Sequence, residues 1–221
     1  MLSPARLIDH TLLKPETTAN DIDRLCEEAV EASFAAVCIP PRFVRLASDR
    51  LYGSEVAVAT VVGFPLGYSS RATKIAETSD AVASGADEID MVIAIGNALA
   101  DEVEVVEEEI TAVVRAAERA EVKVILECCL LDDPRKLVLS EACVRAGAAF
   151  VKTSTGFSSG GATLDDVALL SQQVAGRIGV KAAGGIRDLV TFNAMCAAGA
   201  TRIGTSSGLA ILRQWRQQER S

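Results

Sequence analysis

One histidine, His10, stands in the 221 residues. A zinc site of the usual histidine-rich kind cannot be built from it, so metal-independent chemistry without a cofactor is expected. Basic charge is also scarce. The 22 Lys and Arg against 30 Asp and Glu leave a formal charge of −8, which argues against nucleic acid or an anionic membrane as a partner. Long apolar runs are missing as well: the stretch 56–64 is only strand-sized. The opening MLSPARLIDH has neither a basic segment nor an apolar core of signal length, so a soluble, cytoplasmic protein is expected. No C-x-x-C spacing occurs. Cys26, Cys38, Cys128, Cys129, Cys143 and Cys196 mostly sit inside apolar runs and read as buried free thiols.

What is present is a regular alternation. With 49% hydrophobic and 24% charged residues the chain can build one α/β domain around a large core. Short apolar runs at 7–11, 35–39, 56–64, 88–95, 122–130, 150–155, 179–183 and 201–205 read as eight strands. Between them lie helical stretches opened by cap-like residues: Thr18 or Asn20, Ser69 or Ser70, Asp101, Asp132 with Pro134, Thr163 and Asp188. In ASGADEID, RAGAAFVK and AAGATRIG a glycine falls where a helix end needs a left-handed residue. Eight βα units without a linker predict a single-domain (β/α)8 TIM barrel over residues 1–221, with an open doubly wound sheet as the alternative should the short, polar first strand fail.

Two segments, FVKTSTG and GVKAAGG, each end an apolar run on a lysine, Lys152 and Lys181. One helical stretch, 165–174, separates them, so the two strands should be neighbours with both lysines near the same C-terminal rim, where barrels keep their active sites. At roughly 6 Å and an effective dielectric of about 20 the two ammonium groups repel by about 2.8 kcal/mol. Burial acts in the same direction, so one amine is expected to be neutral and nucleophilic toward carbonyls. A lone strand-end lysine usually snorkels to the rim; the matched pair favours function.

Asp90, inside the strand-like EIDMVI, must be paired or functional. With Lys181 it makes an acid and a base able to pass a proton; a structural salt bridge is the competing reading. Asp9, Lys123 and Glu127 are further polar groups in strands, and the even spacing of Lys123 and Glu127 predicts that they share one face, that of the interior, where they orient the site. Glycine turns follow three late strands: Gly156, then Gly184-Gly185 with Arg187, then Gly204 with Ser206 and Ser207. Backbone amides at the last two match the phosphate site that barrels build after strands seven and eight. The acidic segment 101–109 reads as a solvated helix face, Trp215 and the Arg-rich tail to Arg220 as a last helix that packs and frays, and Cys38 as a packed thiol.

Together IDHTLLKPE, VCIPPRFV, VVGFPLG, GADEIDMVI, VKVILE, FVKTSTGF, VKAAGGIR and RIGTSSG resemble the deoxyribose-phosphate aldolase family over nearly the whole chain. The resemblance implies a (β/α)8 barrel and reversible class I cleavage of 2-deoxy-D-ribose 5-phosphate to D-glyceraldehyde 3-phosphate and acetaldehyde. It implies Lys152 as the Schiff-base lysine, Lys181 as the lysine that tunes it and Asp90 as a member of the proton relay. Phosphosugar and aldehyde are the implied partners, and association through outer helices as a homodimer or homotetramer fits small barrels of this kind. Departures are few: Ala94 stands where many relatives have asparagine, Cys128 where they have threonine, and no tyrosine follows Trp215. Two other readings remain open: a lysine-dependent aldolase for another phosphosugar, and a barrel that senses a sugar phosphate without turnover.

Overall fold

In the computed structural model, which describes residues 3–219, each of the eight apolar runs forms a parallel strand and the last pairs with the first. The order is β1 (Ile8–Thr11), α1 (Ala19–Ala32), β2 (Ala36–Ile39), α2 (Val44–Leu51), β3 (Ala57–Val62), α3 (Arg71–Ala83), β4 (Glu88–Val92), the short α4 (Ile95–Leu99) and α5 (Val103–Ala116). It continues with β5 (Glu121–Ile125), α6 (Asp133–Arg145), β6 (Phe150–Lys152), α7 (Leu164–Val174), β7 (Gly179–Ala183), α8 (Leu189–Ala197), β8 (Arg202–Thr205) and α9 (Gly208–Gln218). Closure rests on β1: Asp9 is in register with Ala36 of β2 on one side and Gly204 of β8 on the other. The barrel forms and the open sheet does not. The polarity of β1 follows from alternation, because Asp9 faces the interior while His10 faces outward. There the His10 ring lies 5.0 Å from that of Phe34, with Nε2 2.8 Å from Glu28 Oε2. Among the described residues no helix is long and apolar enough to cross a membrane.

Thr18, Ser70, Asp132, Thr163 and Asp188 each accept a backbone N–H at the first turn of α1, α3, α6, α7 and α8. Asp101 does not cap a helix as expected. α5 starts two residues later behind Glu102, and the Asp101 carboxylate instead takes two bonds from Arg135, at 2.8 and 3.0 Å. The glycines at the ends of α3 and α8 are required. Gly85 and Gly199 have φ of 103° and 114°, and a Cβ on either would fall 2.3 or 2.2 Å from Ser48 or Ser171 Oγ. Trp215 of α9 packs on the core; Arg220, like Met1, Leu2 and Ser221, lies outside the described residues.

Burial divides the molecule into two unlike interiors. The main apolar core lies between the strands and the helices, built from residues such as Ile22, Val44, Ile89, Ile110, Leu139, Val167 and Ile203. Inside the barrel, a small cluster of Ala36, Cys38, Ala59 and Val61 lines β2 and β3. The rest of the barrel interior holds the charged side chains, with Val92 and Ile125 on the same strand faces as Asp90 and Lys123.

One acid of the 101–109 segment departs from the solvated face expected of it. Glu109 is buried, because it takes the α5 position facing α3, where its Oε2 accepts from Lys74 Nζ at 2.8 Å and from the Ala94 N–H at 3.1 Å. Lys74 Nζ also donates to the Val92 carbonyl at 2.8 Å, tying both outer helices to the C-terminal end of β4. Removing one partner strands a buried charge, so Lys74→Met should cost about 3–5 kcal/mol in urea unfolding. Adding Glu109→Leu should recover part of that loss. A single variant as stable as the parent would show that the pair contributes nothing.

Candidate active site

Alternation along the strands points Asp9, Glu88, Asp90, Lys123, Lys152, Lys181 and Arg202 into the barrel. At their centre is Asp90. Its Oδ1 accepts from Lys123 Nζ at 2.9 Å, and its Oδ2 accepts from both Lys152 Nζ at 2.7 Å and Lys181 Nζ at 2.6 Å. Asp9 takes Lys181 Nζ at 2.5 Å and Arg202 at 2.7 Å; Glu88 takes Lys123 Nζ at 2.5 Å and Arg202 at 3.0 Å. Lys152 and Lys181 are register partners on β6 and β7, and their head groups share one carboxylate oxygen. Thus three carboxyl groups meet four cationic side chains.

Burial, and how the carboxylates are shared out, decide which amine gives up its proton. Burial pushes the Lys152 amine below the usual lysine range; Asp90 opposes this and Lys181 reinforces it. Lys181 is just as deeply buried, yet Asp9 and Asp90 outweigh that burial and hold it above the usual range. Lys123, also buried, is likewise raised, chiefly by Asp90. The carboxylates answer in kind: despite burial, Asp90 is held well below the usual range by Lys123, Lys152 and Lys181, and Asp9 is lowered mainly by Lys181. Amine–amine repulsion therefore operates as the sequence suggests, but desolvation of Lys152 is the larger cause. Cys38, in the small apolar cluster, has its thiol pushed up to about 11 by burial and then by Asp90, so it sits there as a packed thiol.

Only Lys152 of these seven groups lines an open cavity, of about 360 Å³, at the C-terminal ends of the strands. Asp9, Asp90, Lys123 and Lys181 lie beneath it, fully buried. Gly156, Gly184, Gly185, Arg187, Gly204 and Ser206 line its wall. Ser207 does not line the cavity; its N–H donates to Thr205 Oγ1 at 2.9 Å, at the start of α9. Gly184 has a packing reason of its own, since a Cβ there would come 2.9 Å from the Gly161 Cα of the facing loop. Gly185, at φ 85°, meets nothing and leaves its surroundings open. Gly204 makes room for the lysine below, because a Cβ there would sit 3.2 Å from Lys181 Cε. The cavity lining includes Lys14, Lys152 and Arg187 and no acid, which suits an anion in a chain of net charge −8. A larger concavity of about 570 Å³ between α1 and α2 is lined by Asp23, Glu27 and Glu31 and holds none of this chemistry.

Glu127 is not in a strand and does not share the face of Lys123. β5 ends at Ile125, and Glu127 adopts a left-handed conformation at φ 59° that turns its carboxylate to Thr155 at the rim. The structure adds Glu88, Arg202 and Lys14 to the site residues expected from the sequence. Period-two spacing from Asp90 and from Gly204 marks Glu88 and Arg202 as inward-facing; Lys14 lies in a loop, where no periodicity signals it.

Known proteins share this arrangement of elements and sequence. The DeoC/LacD family aldolase profile matches residues 5–214. Deoxyribose-phosphate aldolase of Syntrophotalea carbinolica is 54% identical over 217 residues, 98% of each chain, and that of Brevibacillus brevis 52% identical over 94% of each. Among solved structures, an aldolase called QR15 superposes with a TM-score of 0.94 at 39% identity, covering 99% of this chain and 98% of its own. A deoxyribose phosphate aldolase from Aeropyrum pernix, described as a unique tetramer, superposes at 0.90 with 35% identity, covering 97% and 91%. By profile, sequence and fold, the chain belongs to the DeoC/LacD family of aldolases.

Proposed function

We propose that this chain reversibly cleaves 2-deoxy-D-ribose 5-phosphate to D-glyceraldehyde 3-phosphate and acetaldehyde by a class I, Schiff-base mechanism. The observation that carries the reading is Lys152: an amine that desolvation, reinforced by the Lys181 charge, pushes below the usual lysine range, at the floor of a cationic cavity. Its Nζ attacks C1 of the open-chain sugar, and loss of water leaves an iminium. The C3 hydroxyl gives up its proton, the C2–C3 bond electrons flow into the iminium, and glyceraldehyde 3-phosphate departs. An enamine of acetaldehyde stays on Lys152. Protonation at C2 restores the iminium, and water then frees acetaldehyde and the amine. Asp90 and Lys181, hydrogen-bonded to each other with Asp90 also bonded to Lys152, are the groups that carry these protons. Asp9 and Lys123 hold them in place. The iminium is the electron sink, so the reaction as proposed needs no metal or cofactor.

The phosphate is assigned to Gly156, Gly184, Gly185, Gly204, Ser206 and Arg187, with Ser207 supporting the turn from behind. Arg187→Ala should raise KM for 2-deoxyribose 5-phosphate about tenfold while leaving turnover of unphosphorylated 2-deoxyribose unchanged. Equal losses on both substrates would remove Arg187 from the phosphate site.

The whole chain is read as one catalytic domain that associates with copies of itself, as a homodimer or homotetramer. Its free thiols favour a reducing compartment such as the cytoplasm. Acetaldehyde with borohydride tests the central reading: an ethyl group should be fixed on Lys152. Labelling by a three-carbon ketone alone would favour an aldolase of different donor, and a protein that binds the sugar phosphate without releasing aldehyde would be a sensor.

A further inference from the structure

One buried acid beside the cavity has no part in the mechanism. Glu127 is 2% exposed and sits just past β5 in a left-handed conformation, φ 59°. That costs a residue with a Cβ roughly 1–2 kcal/mol and persists where the surroundings enforce it. What enforces it is Thr155. The Thr155 N–H lies 3.3 and 3.4 Å from the two carboxylate oxygens, and its hydroxyl donates to Glu127 Oε2 at 2.5 Å. The Cys129 thiol lies 3.9 Å from the other oxygen. The Phe157 N–H in turn donates to Thr155 Oγ1 at 3.1 Å.

A hydroxyl has one proton and two lone pairs. Here the proton is spent on Glu127 and one lone pair on Phe157, so Thr155 has only an acceptor left for the cavity it lines. Along the chain Thr155 falls between Lys152, where C1 would be bound, and Gly156 of the turns assigned to the phosphate, and all three line the cavity. Of the sugar hydroxyls between those ends, the one on C3 must surrender its proton to the reaction. The one on C4 is free to donate a hydrogen bond.

We propose that Glu127 is a positioning residue that fixes the Thr155 hydroxyl as an acceptor, and that this acceptor selects substrates bearing a hydroxyl on the carbon next to the scissile one. The inference rests on the aldolase reading above. In the synthetic direction it gives a preference for D-glyceraldehyde 3-phosphate over 3-phosphonooxypropanal, which lacks only that hydroxyl.

The experiment compares kcat/KM for these two acceptors, with acetaldehyde as donor, and checks each protein for borohydride trapping at Lys152. The parent should prefer the hydroxylated acceptor at least tenfold. Glu127→Gln places an amide where it can donate to Thr155 Oγ1, so the ratio should fall to about twofold or less with trapping retained. Thr155→Val should lose the preference and Thr155→Ser keep it, which tests the same point should the Gln variant fail to fold. Equal losses on both acceptors would reduce Glu127 to a prop for the loop and overturn the inference, as would an unchanged ratio in Glu127→Gln or Thr155→Val. A parent that traps no acetaldehyde at Lys152 would instead overturn the aldolase reading, and the inference with it.

Discussion

Lys152→Arg is expected to lower cleavage of 2-deoxyribose 5-phosphate by on the order of 10⁴-fold or more and to abolish borohydride trapping of acetaldehyde. The substitution keeps a hydrogen-bond donor beside Asp90, so the contact to the ionic array is preserved and the loss reads out chemistry. Guanidinium remains protonated at any pH the protein tolerates. In the parent, desolvation, reinforced by the Lys181 charge, favours the neutral amine, and no such relief is open to arginine. The variant should unfold at a lower urea concentration than the parent, because a permanent cation is held at a buried site, yet remain folded under assay conditions, which circular dichroism checks. Residual activity within tenfold of the parent, in protein shown by mass to be the variant, would move the nucleophile elsewhere.

Much of this site is legible in the sequence because strands impose a period of two and loops impose glycine. Lys152 and Lys181 announce themselves as ends of apolar runs, and both face the interior as neighbouring strands require. Asp90 is conspicuous for the opposite reason, an acid in a run where desolvation would be costly without partners. The first strand, IDHT, is short and polar, and its polarity is that of a strand whose inner residue joins the ionic array and whose outer residue reaches a helix. Less legible are contacts that depend on where a strand stops. Lys123 and Glu127 are evenly spaced, yet two residues past the end of β5 the backbone turns left-handed and Glu127 leaves the face that Lys123 keeps. Nor does a helix in an acid-rich segment show which of its acids faces a buried lysine from another helix; Glu109 is identified only when α3 and α5 are placed side by side. The order of forces on Lys152 was hidden for a similar reason. Spacing reveals a second amine nearby, whereas the degree of desolvation depends on how completely the strands around it close.

Lys181→Leu should shift the pH dependence of Schiff-base formation upward and cut turnover by roughly 10²–10³-fold. The sign follows from the contacts. Asp90 Oδ2 is shared between Lys152 at 2.7 Å and Lys181 at 2.6 Å, so removing Lys181 takes away a repelling charge and leaves the carboxylate to Lys152. Both changes favour the protonated form of Lys152 and raise its pKa. The neutral amine is the species that attacks, so at any pH below the raised value the variant holds less of it. At saturating acetaldehyde, the trapping rate plotted against pH should therefore rise at higher pH in Lys181→Leu than in the parent. Proton transfer is lost separately, which is why turnover should remain depressed even at a pH where trapping has recovered. Two causes thus give two signatures: a displaced trapping profile for the electrostatic role, and a pH-independent deficit in turnover for the relay. A profile that stays in place or moves to lower pH would mean that Lys181 does not govern the charge on Lys152, and the apparent coupling through Asp90 would then be structural only.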